Sequence, residues 1–510
     1  MMVAESMQPT WKLSELLGDL VPVPPNQDRL VYGLAMDSRR VQPGDLFLAC
    51  AGKQQHGLAF TADAVRAGAV AVVWEPAPGL PAIDNSLVIP ALAIASLGDK
   101  AGVIASRFFG RPSHDLCVVG VAGTDGKTSC SHFIAQVLGG QDSPCGLLGT
   151  LGYGIYGQLE AGTHTTPDAI SLQSHLAGFR DQGLRHVVLE VSSHALDQGR
   201  ISGIEFDVAL FTNLGRDHLD YHGDLEAYGR AKRRLFEQSG LNTAVLNTDD
   251  TFSQELVTAL PNHAGVIAYG LAGIPGWIKS RTESRSVVGQ ALQIDAAGIR
   301  MDINTSWGSG TLKSTLLGEF NARNLLGTLG VVLACGIPLT DALKLMSRIK
   351  GVPGRMERFG GKFGQPLVIV DYAHTPQALE HALIALRRLC HGSLWCVFGA
   401  GGERDPGKRS LMGACAEKFA DRVILTDDNP RREDPQGIVA DILSGILEPS
   451  AVLIEHDRSA AIRRAVDSAD SLDVVLVAGK GHETYQEIGN QLLPFDDRRS
   501  VAALFSKGQP

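Results

Sequence analysis

Aromatic residues are scarce, at 6% of 510 positions, and only 20% of positions are charged. No run reaches the roughly 18 apolar residues that a helix needs to span a bilayer. The eight cysteines never fall at C-x-x-C spacing and mostly sit in apolar runs. A zinc site or a disulfide framework is therefore not expected; free buried thiols are. H-E-x-x-H is absent, as is any 20–50-residue repeat. Lys and Arg do not outnumber the acids, and the net charge of −9 speaks against non-specific nucleic-acid binding or a basic membrane surface. An anionic substrate in a local basic pocket is still allowed. The first residues, MMVAESMQPTWKLSELL, hold an early acid and no apolar centre of a secretory leader, so a cytoplasmic protein is expected.

What is present is globular. Hydrophobic residues make up 44%, and glycine is abundant at 58. At roughly 100–200 residues per domain the length suits three domains. Residues 1–111 mix short strand-like runs (DLFLACAG, AVAVVWEP) with Pro/Gly-rich turns. After RFFGRPSHD, apolar runs ending in Gly, Asn or Asp alternate with helical patterns: LCVVGVAG, HVVLEVSS, VALFTNL, AVLNTDD. After IKGVPGRMERFGG the alternation restarts as LVIVDYA, LWCVFGAGG, RVILTDDNP, AVLIEHD and VVLVAGKG. Such runs read as buried parallel strands. The expected fold is α/β in three domains: a small N-terminal α/β domain (1–111), a central P-loop ATPase-like parallel-sheet domain (112–350) and a C-terminal Rossmann-like domain (351–510). In the last domain the tags DYAH, GAGGERD, TDDNPRRE and AGKGHE each follow a strand directly. Ligands bind at the carboxyl ends of parallel strands, so the four tags are expected to converge on one pocket.

Strand LCVVGVAG runs into Gly123-Thr124-Asp125-Gly126-Lys127-Thr128-Ser129 and then a helical run. Strand, glycine-rich turn, Lys-Thr and helix N-terminus together make a polyphosphate cradle. Backbone N–H groups face the phosphates, Lys127 reaches the outer ones, and the Thr128 hydroxyl suits Mg²⁺. Val121 stands where the first glycine of G-x-x-x-x-G-K-[ST] belongs. A later stretch, Gly402 to Lys408, has better glycine spacing, but Arg409 follows its lysine and its acids repel phosphate. It reads as an arm presenting Arg404, with Lys408 near a phosphate. No N-K-x-D guanine signature occurs; Asn247-Thr248-Asp249-Asp250 lacks the lysine. A transferase, a motor or a ligase using ATP remains.

The segments GTDGKTS, HTTPDA, EVSSHALDQGR, FTNLGRDHLDYHGDLEAYGRAKRRLF, GEFNARN, GRMER, DYAHTP and DDNPR occur in this order, and the chain resembles the Mur ligase family. Asp125 stands where that family usually has Asn. The resemblance implies ATP-dependent ligation through an acyl phosphate, within the branch that extends UDP-N-acetylmuramoyl-L-alanyl-D-glutamate in peptidoglycan precursor synthesis. It implies Lys127, Glu190, His218 and Lys232 as catalytic residues. Thr128, Glu190, His218 and Lys232, the last as its carbamate, match the family's ligands for Mg²⁺, of which two are expected. Gly123, Thr124, Asp125, Gly126, Lys127, Thr128, Ser129, Asn321, Asn324, Arg355, Asp371 and His374 correspond to ATP-side residues. Ser38, Lys53, Gln54, Gln55, Thr165, Thr166, Ser192, Gln198 and Arg200 correspond to contacts with the UDP-MurNAc-dipeptide.

The family's diaminopimelate-adding members resemble this chain at Asp428-Asn429-Pro430-Arg431, and lysine-adding relatives lack that arginine. Arg404, Asp428, Asn429, Pro430, Arg431, Gly479 and Glu483 are the implied amino-acid site. The chemistry agrees, because meso-diaminopimelate carries one more carboxylate than lysine and an arginine fork can grip it bidentately. A monomer with small-molecule substrates and no nucleic-acid partner is expected. Two other readings were weighed. Folylpolyglutamate synthase shares the phosphate loop but not DSRRVQPGDLF or DNPR. A regulatory nucleotide-binding module needs no Glu190, His218 and Lys232 set.

Overall fold

A computed structural model describes residues 10–52, 55–80, 87–140, 143–280, 284–295, 297–362 and 364–506. The chain divides into two compact units. The first comprises Met1–Gly120, Leu138–Val208 and Glu237–Asn242, and the second Val121–Val137, Ala209–Phe236 and Thr243–Pro510.

In the first unit, strands Gly33–Ala35, Asp45–Ala49, Ala71–Trp74 and Ala91–Ala93 form a parallel sheet in that order. Alternation along DLFLA buries both faces: Leu46 and Leu48 pack with Leu97, Ala101 and Ile104 of the helix Leu97–Phe108, while Phe47 and Ala49 pack with Ala64 and Val72. A strand covered on both sides reads as a continuous apolar run. Elsewhere in the unit, His186–Glu190 pairs in parallel with Cys145–Gly149, placing Leu189 beside Leu148. Two short antiparallel strands, Gly152–Ile155 and Gln158–Glu160, follow.

The second unit holds the phosphate turn, which passes directly into the helix Lys127–Leu138. Thr243–Asn247 and Gly265–Gly270 run parallel, and Ser284–Asp295 continues in parallel before Gly298–Thr305 and Gly308–Ser314 add antiparallel. The reading of a largely parallel sheet thus holds with an antiparallel extension at one end. Its strands carry the half-exposed alternation of a one-sided sheet rather than apolar runs.

A six-stranded sheet follows in the order Glu357–Gly360, Leu367–Asp371, Val474–Ala478, Leu394–Phe398, Arg422–Leu425, Leu453–Ile454. Only its first pair is antiparallel. The last parallel strand in sequence, Val474–Ala478, thus lies between Leu367–Asp371 and Leu394–Phe398. Order reversal of this kind opens a crevice at the strands' carboxyl ends. The fully buried Arg458 sits at this end of the sheet, paired to Asp497 at 2.8 Å and donating to the Ala478 carbonyl.

Candidate functional site

In the second unit the lysine of the phosphate turn bonds within its own loop. Lys127 Nζ donates to the carbonyls of Gly123 (3.0 Å) and Thr124 (2.8 Å). Asp125 is fixed through its backbone: its N–H donates to Asn213 Oδ1 (3.0 Å), and its carbonyl accepts from the Thr212 hydroxyl (2.6 Å). The Thr128 hydroxyl accepts from Arg355 Nη2 at 3.1 Å. Arg355 also lies over the Tyr372 ring, 4.3 Å from its centre. A cavity of about 400 Å³ opens here, lined among others by Asp125, Ser129, Asn321, Asn324, Arg355 and Asp371. The two asparagines bond to each other at 3.2 Å. Asp371 accepts N–H bonds from Met356 and Ala373; burial pushes its carboxyl up, against the pull of Arg355.

Lys232 projects from the helix Leu225–Phe236 and is 1% exposed. Its Nζ donates to the Gly123 carbonyl at 2.6 Å and sits 4.2 Å from the centre of the Tyr228 ring. Burial, reinforced by the neighbouring Lys127, drives its pKa well below the ordinary lysine value. His218 takes a left-handed backbone conformation (φ +54°) just before the short helix Leu219–His222. Beside it, Asp217 is surrounded by His218 (3.3 Å), His374 (3.6 Å) and Lys408 (4.0 Å). Burial opposes the Asp217 charge, yet these neighbours outweigh it and hold the carboxyl well below the usual range.

The first unit assembles a separate cluster around Glu190, which ends its strand fully buried. Thr150 grips the carboxylate twice, its N–H on Oε1 at 3.0 Å and its hydroxyl on Oε2 at 2.9 Å. Gly149 makes room for this, since a Cβ there would lie 2.2 Å from Glu190 Oε1. Thr165 meets the Thr150 hydroxyl at 3.2 Å. The Thr166 hydroxyl donates to the Glu190 carbonyl (2.7 Å) and accepts from the Ser192 N–H (3.0 Å). Ser192 caps the helix Ser193–Asp197, and Arg200 bonds both the Thr166 carbonyl and Gln198 Oε1 at 2.9 Å. Five expected dipeptide contacts and Glu190 therefore share one network. Ser38 starts a short turn capped by Asp37, and Gln55 is exposed. Lys53 and Gln54 lie outside the described residues.

At the carboxyl ends of the six-stranded sheet the tags do meet. Lys480, wholly buried, donates to Asn429 Oδ1 (2.9 Å) and Glu483 Oε2 (3.0 Å), and Asn429 Nδ2 closes the triangle on Glu483 at 2.8 Å. Gly479 adopts φ +112°, and a Cβ there would fall 2.4 Å from Asp428 Oδ2. Asp428 and Asn429 are buried, as is Pro430. Arg431 Nε donates to Glu487 Oε2 (2.8 Å) and Nη1 to the Gly402 carbonyl (2.7 Å). Exposed Arg404 extends from the same loop, its stem beside Gly401 next to Arg431 Nη1. Sequence reasoning missed Thr150, Asp217, Lys480 and Glu487. Lys480 stood inside the AGKGHE tag and Asp217 next to His218, whereas nothing in the sequence marks Thr150 or Glu487.

Three family models match the chain: the Mur ligase family catalytic domain over 30–99, the Mur ligase middle domain over 121–332 and the Mur ligase glutamate ligase domain over 354–481. The chain belongs to the Mur ligase family, ATP-dependent amide ligases of three-domain α/β fold. Within that family its similarity to one kind of member is high. The UDP-N-acetylmuramoyl-L-alanyl-D-glutamate–2,6-diaminopimelate ligase of Alkalilimnicola ehrlichii is 48% identical over 496 residues, 96% of this chain and 98% of the relative. Its counterpart in Coxiella burnetii is 47% identical, covering 92% and 94%. A solved structure of a ligase of that name has 35% identity and a TM-score of 0.69, covering 98% of this chain and all of the other. MurF from Acinetobacter baumannii, at 17% identity and TM-score 0.64, shares the fold.

Proposed function

We propose that the chain joins meso-2,6-diaminopimelate to UDP-N-acetylmuramoyl-L-alanyl-D-glutamate, converting ATP to ADP and phosphate, as a cytoplasmic monomer in peptidoglycan precursor synthesis. The observation that carries the choice of amine is Arg431, a half-sheltered guanidinium in the DNPR tag with its Nη2 amine unpartnered among the described residues. Diaminopimelate brings a distal carboxylate to that group, whereas lysine brings only an ammonium. The domain boundaries 1–111, 112–350 and 351–510 are part of this reading and are supported by the three matched segments.

In the first step a γ-carboxylate oxygen of the D-glutamyl residue attacks the γ-phosphorus of ATP, and ADP leaves. The amine of diaminopimelate then attacks the acyl-phosphate carbon, loses a proton, and phosphate departs as the amide forms. Lys127 leaves its two loop carbonyls to meet the outer phosphates, with helix N–H groups facing the same charge. Asn321, Asn324, Asp371 and His374 surround the nucleotide; Thr165, Thr166, Ser192, Gln198 and Arg200 hold the acceptor, with Ser38 and Gln55 toward its nucleotide end. Asn429, Gly479 and Glu483 receive the amino-acid head.

Among the described residues no three His, Cys, Asp or Glu side chains converge as a metal cage. Mg²⁺ usually keeps waters and shares phosphate oxygens with one or two protein ligands, and Thr128 and His218 in the second unit and Glu190 in the first each carry a donor of the kind it takes. Bound Mg²⁺ would neutralise charge between phosphate and carboxylate. The buried amine of Lys232, whose proton burial makes easier to lose, suits a carbamate ligand: the amine nitrogen would add to CO₂, the N–C bond forming and one proton leaving.

The test is an amine panel with the UDP-muramyl dipeptide and ATP, read by product mass. Only diaminopimelate should yield product at micromolar to low-millimolar amine. Lysine incorporated with equal efficiency overturns the reading. No helix of the described residues is long and apolar enough to cross a membrane.

A further inference from the structure

The hairpin Tyr485–Ile488 and Gln491–Pro494, joined antiparallel, is not part of any motif singled out above. It nevertheless clasps the DNPR loop at both backbone and side-chain level. Arg431 N–H donates to the Glu487 carbonyl (3.0 Å), and Gly489 N–H donates to the Arg431 carbonyl (2.7 Å). Glu487 N–H donates to Asn429 Oδ1 (2.9 Å). Arg431 itself sits at φ +52°, a left-handed conformation that a non-glycine residue adopts only when its surroundings hold it there. The clasp holds it there, and the Glu487 carboxylate takes its Nε.

We infer that Glu487 is a positioning residue for amino-acid selection: with the Gly402 carbonyl it fixes the Arg431 guanidinium so that the Nη2 end is presented to the distal carboxylate of the incoming diamine. The inference rests on the proposed role of Arg431. A free arginine side chain samples many rotamers, and each carboxylate it captures must first halt that motion. Glu487 and Gly402 occupy the Nε and one Nη1 position, which removes the side-on edge of the guanidinium. The Nη2 amine, with no bond among the described residues, remains for a carboxylate. The neighbouring negative charge also makes the guanidinium a weaker lure for singly charged anions that lack the correct reach. Glu487 touches no reacting atom, so its effect falls on amine affinity rather than on chemistry.

Three variants of the full-length protein test this: Glu487→Ala, Glu487→Gln and Arg431→Ala, each with Michaelis constants for diaminopimelate and ATP and with kcat at saturating amine. Glu487→Ala should raise the Michaelis constant for diaminopimelate about tenfold, the scale of one lost charged hydrogen bond. The constant for ATP and kcat should move less than about twofold, because the clasp lies off the phosphate turn. Glu487→Gln keeps an acceptor for Nε and should recover most of the loss. An unchanged diaminopimelate constant in Glu487→Ala overturns the inference, as does a parallel rise for diaminopimelate and ATP, which would mark a merely structural role. If Arg431→Ala also leaves the diaminopimelate constant unchanged, the proposed amine site falls as well. If Arg431→Ala raises it and Glu487→Ala does not, only the positioning role falls.

Discussion

Around Gly123 the charged side chains bond to backbone carbonyls, while around Asn429 they bond to one another. Lys127 and Lys232 both end on loop carbonyls. Lys480, Asn429, Glu483, Arg431 and Glu487 instead form side-chain pairs drawn from separate segments. On the proposed function, the cation of the phosphate turn exchanges its loop carbonyls for nucleotide. The amino-acid end is already wired before its substrate comes. A triphosphate is common to many enzymes and is recognised by shape and charge, whereas choosing one diamine demands fixed geometry.

The sharpest way to break this contrast is Lys127→Ala. Phosphate release with all substrates should fall at least about a hundredfold in kcat, as for loss of a transition-state donor. A fall under about tenfold would mean that the lysine stays on its loop carbonyls throughout.

Lys480→Met probes the wired end. It strands Glu483 beside Asn429 in a buried setting, and breaking a buried pair costs about 3–5 kcal/mol. Because Glu483 keeps partial solvent access, about 2–3 kcal/mol is expected from urea unfolding. Unaltered stability would show that the triangle contributes binding geometry alone.

A pH-dependent effect surrounds Arg355, which lies against the Thr128 hydroxyl and also stacks on Tyr372. Burial, with Arg355 adding repulsion, lowers His482 to about 3 and His132 to about 4, from an ordinary 6.5. The unfolded chain therefore binds more protons between those limits. Stability is fully present above about pH 6.5 and declines as pH falls toward 4 and then 3. Thermal midpoints across pH 3–8 should show this slope, flattened in the His132→Gln, His482→Gln double variant. An identical slope in that variant would assign the acid sensitivity to other groups.

The same contrast explains what could be read in advance. The strands around the phosphate turn and those carrying the four tags are apolar runs closed by glycine or acid, and they stand where the pattern put them. The turn itself is seven contiguous residues whose function follows from backbone shape, so a string suffices to find it. Lys480 and Glu487 reach partners 51 and 56 positions away, and such pairing leaves no local period. Thr150 is invisible for the same reason: its role is defined by Glu190, 40 positions later. The antiparallel strands from Ser284 to Ser314 escaped because half-exposed alternation offers no apolar block.

The Gly123 carbonyl accepts from two lysine Nζ groups, Lys127 at 3.0 Å and Lys232 at 2.6 Å. A carbonyl oxygen has two lone pairs, and here both are spoken for by groups that repel each other. On the role proposed for Lys127, phosphate would draw it off and leave this oxygen to the Lys232 amine. One peptide oxygen thus ties the phosphate turn to a side chain 109 residues further along.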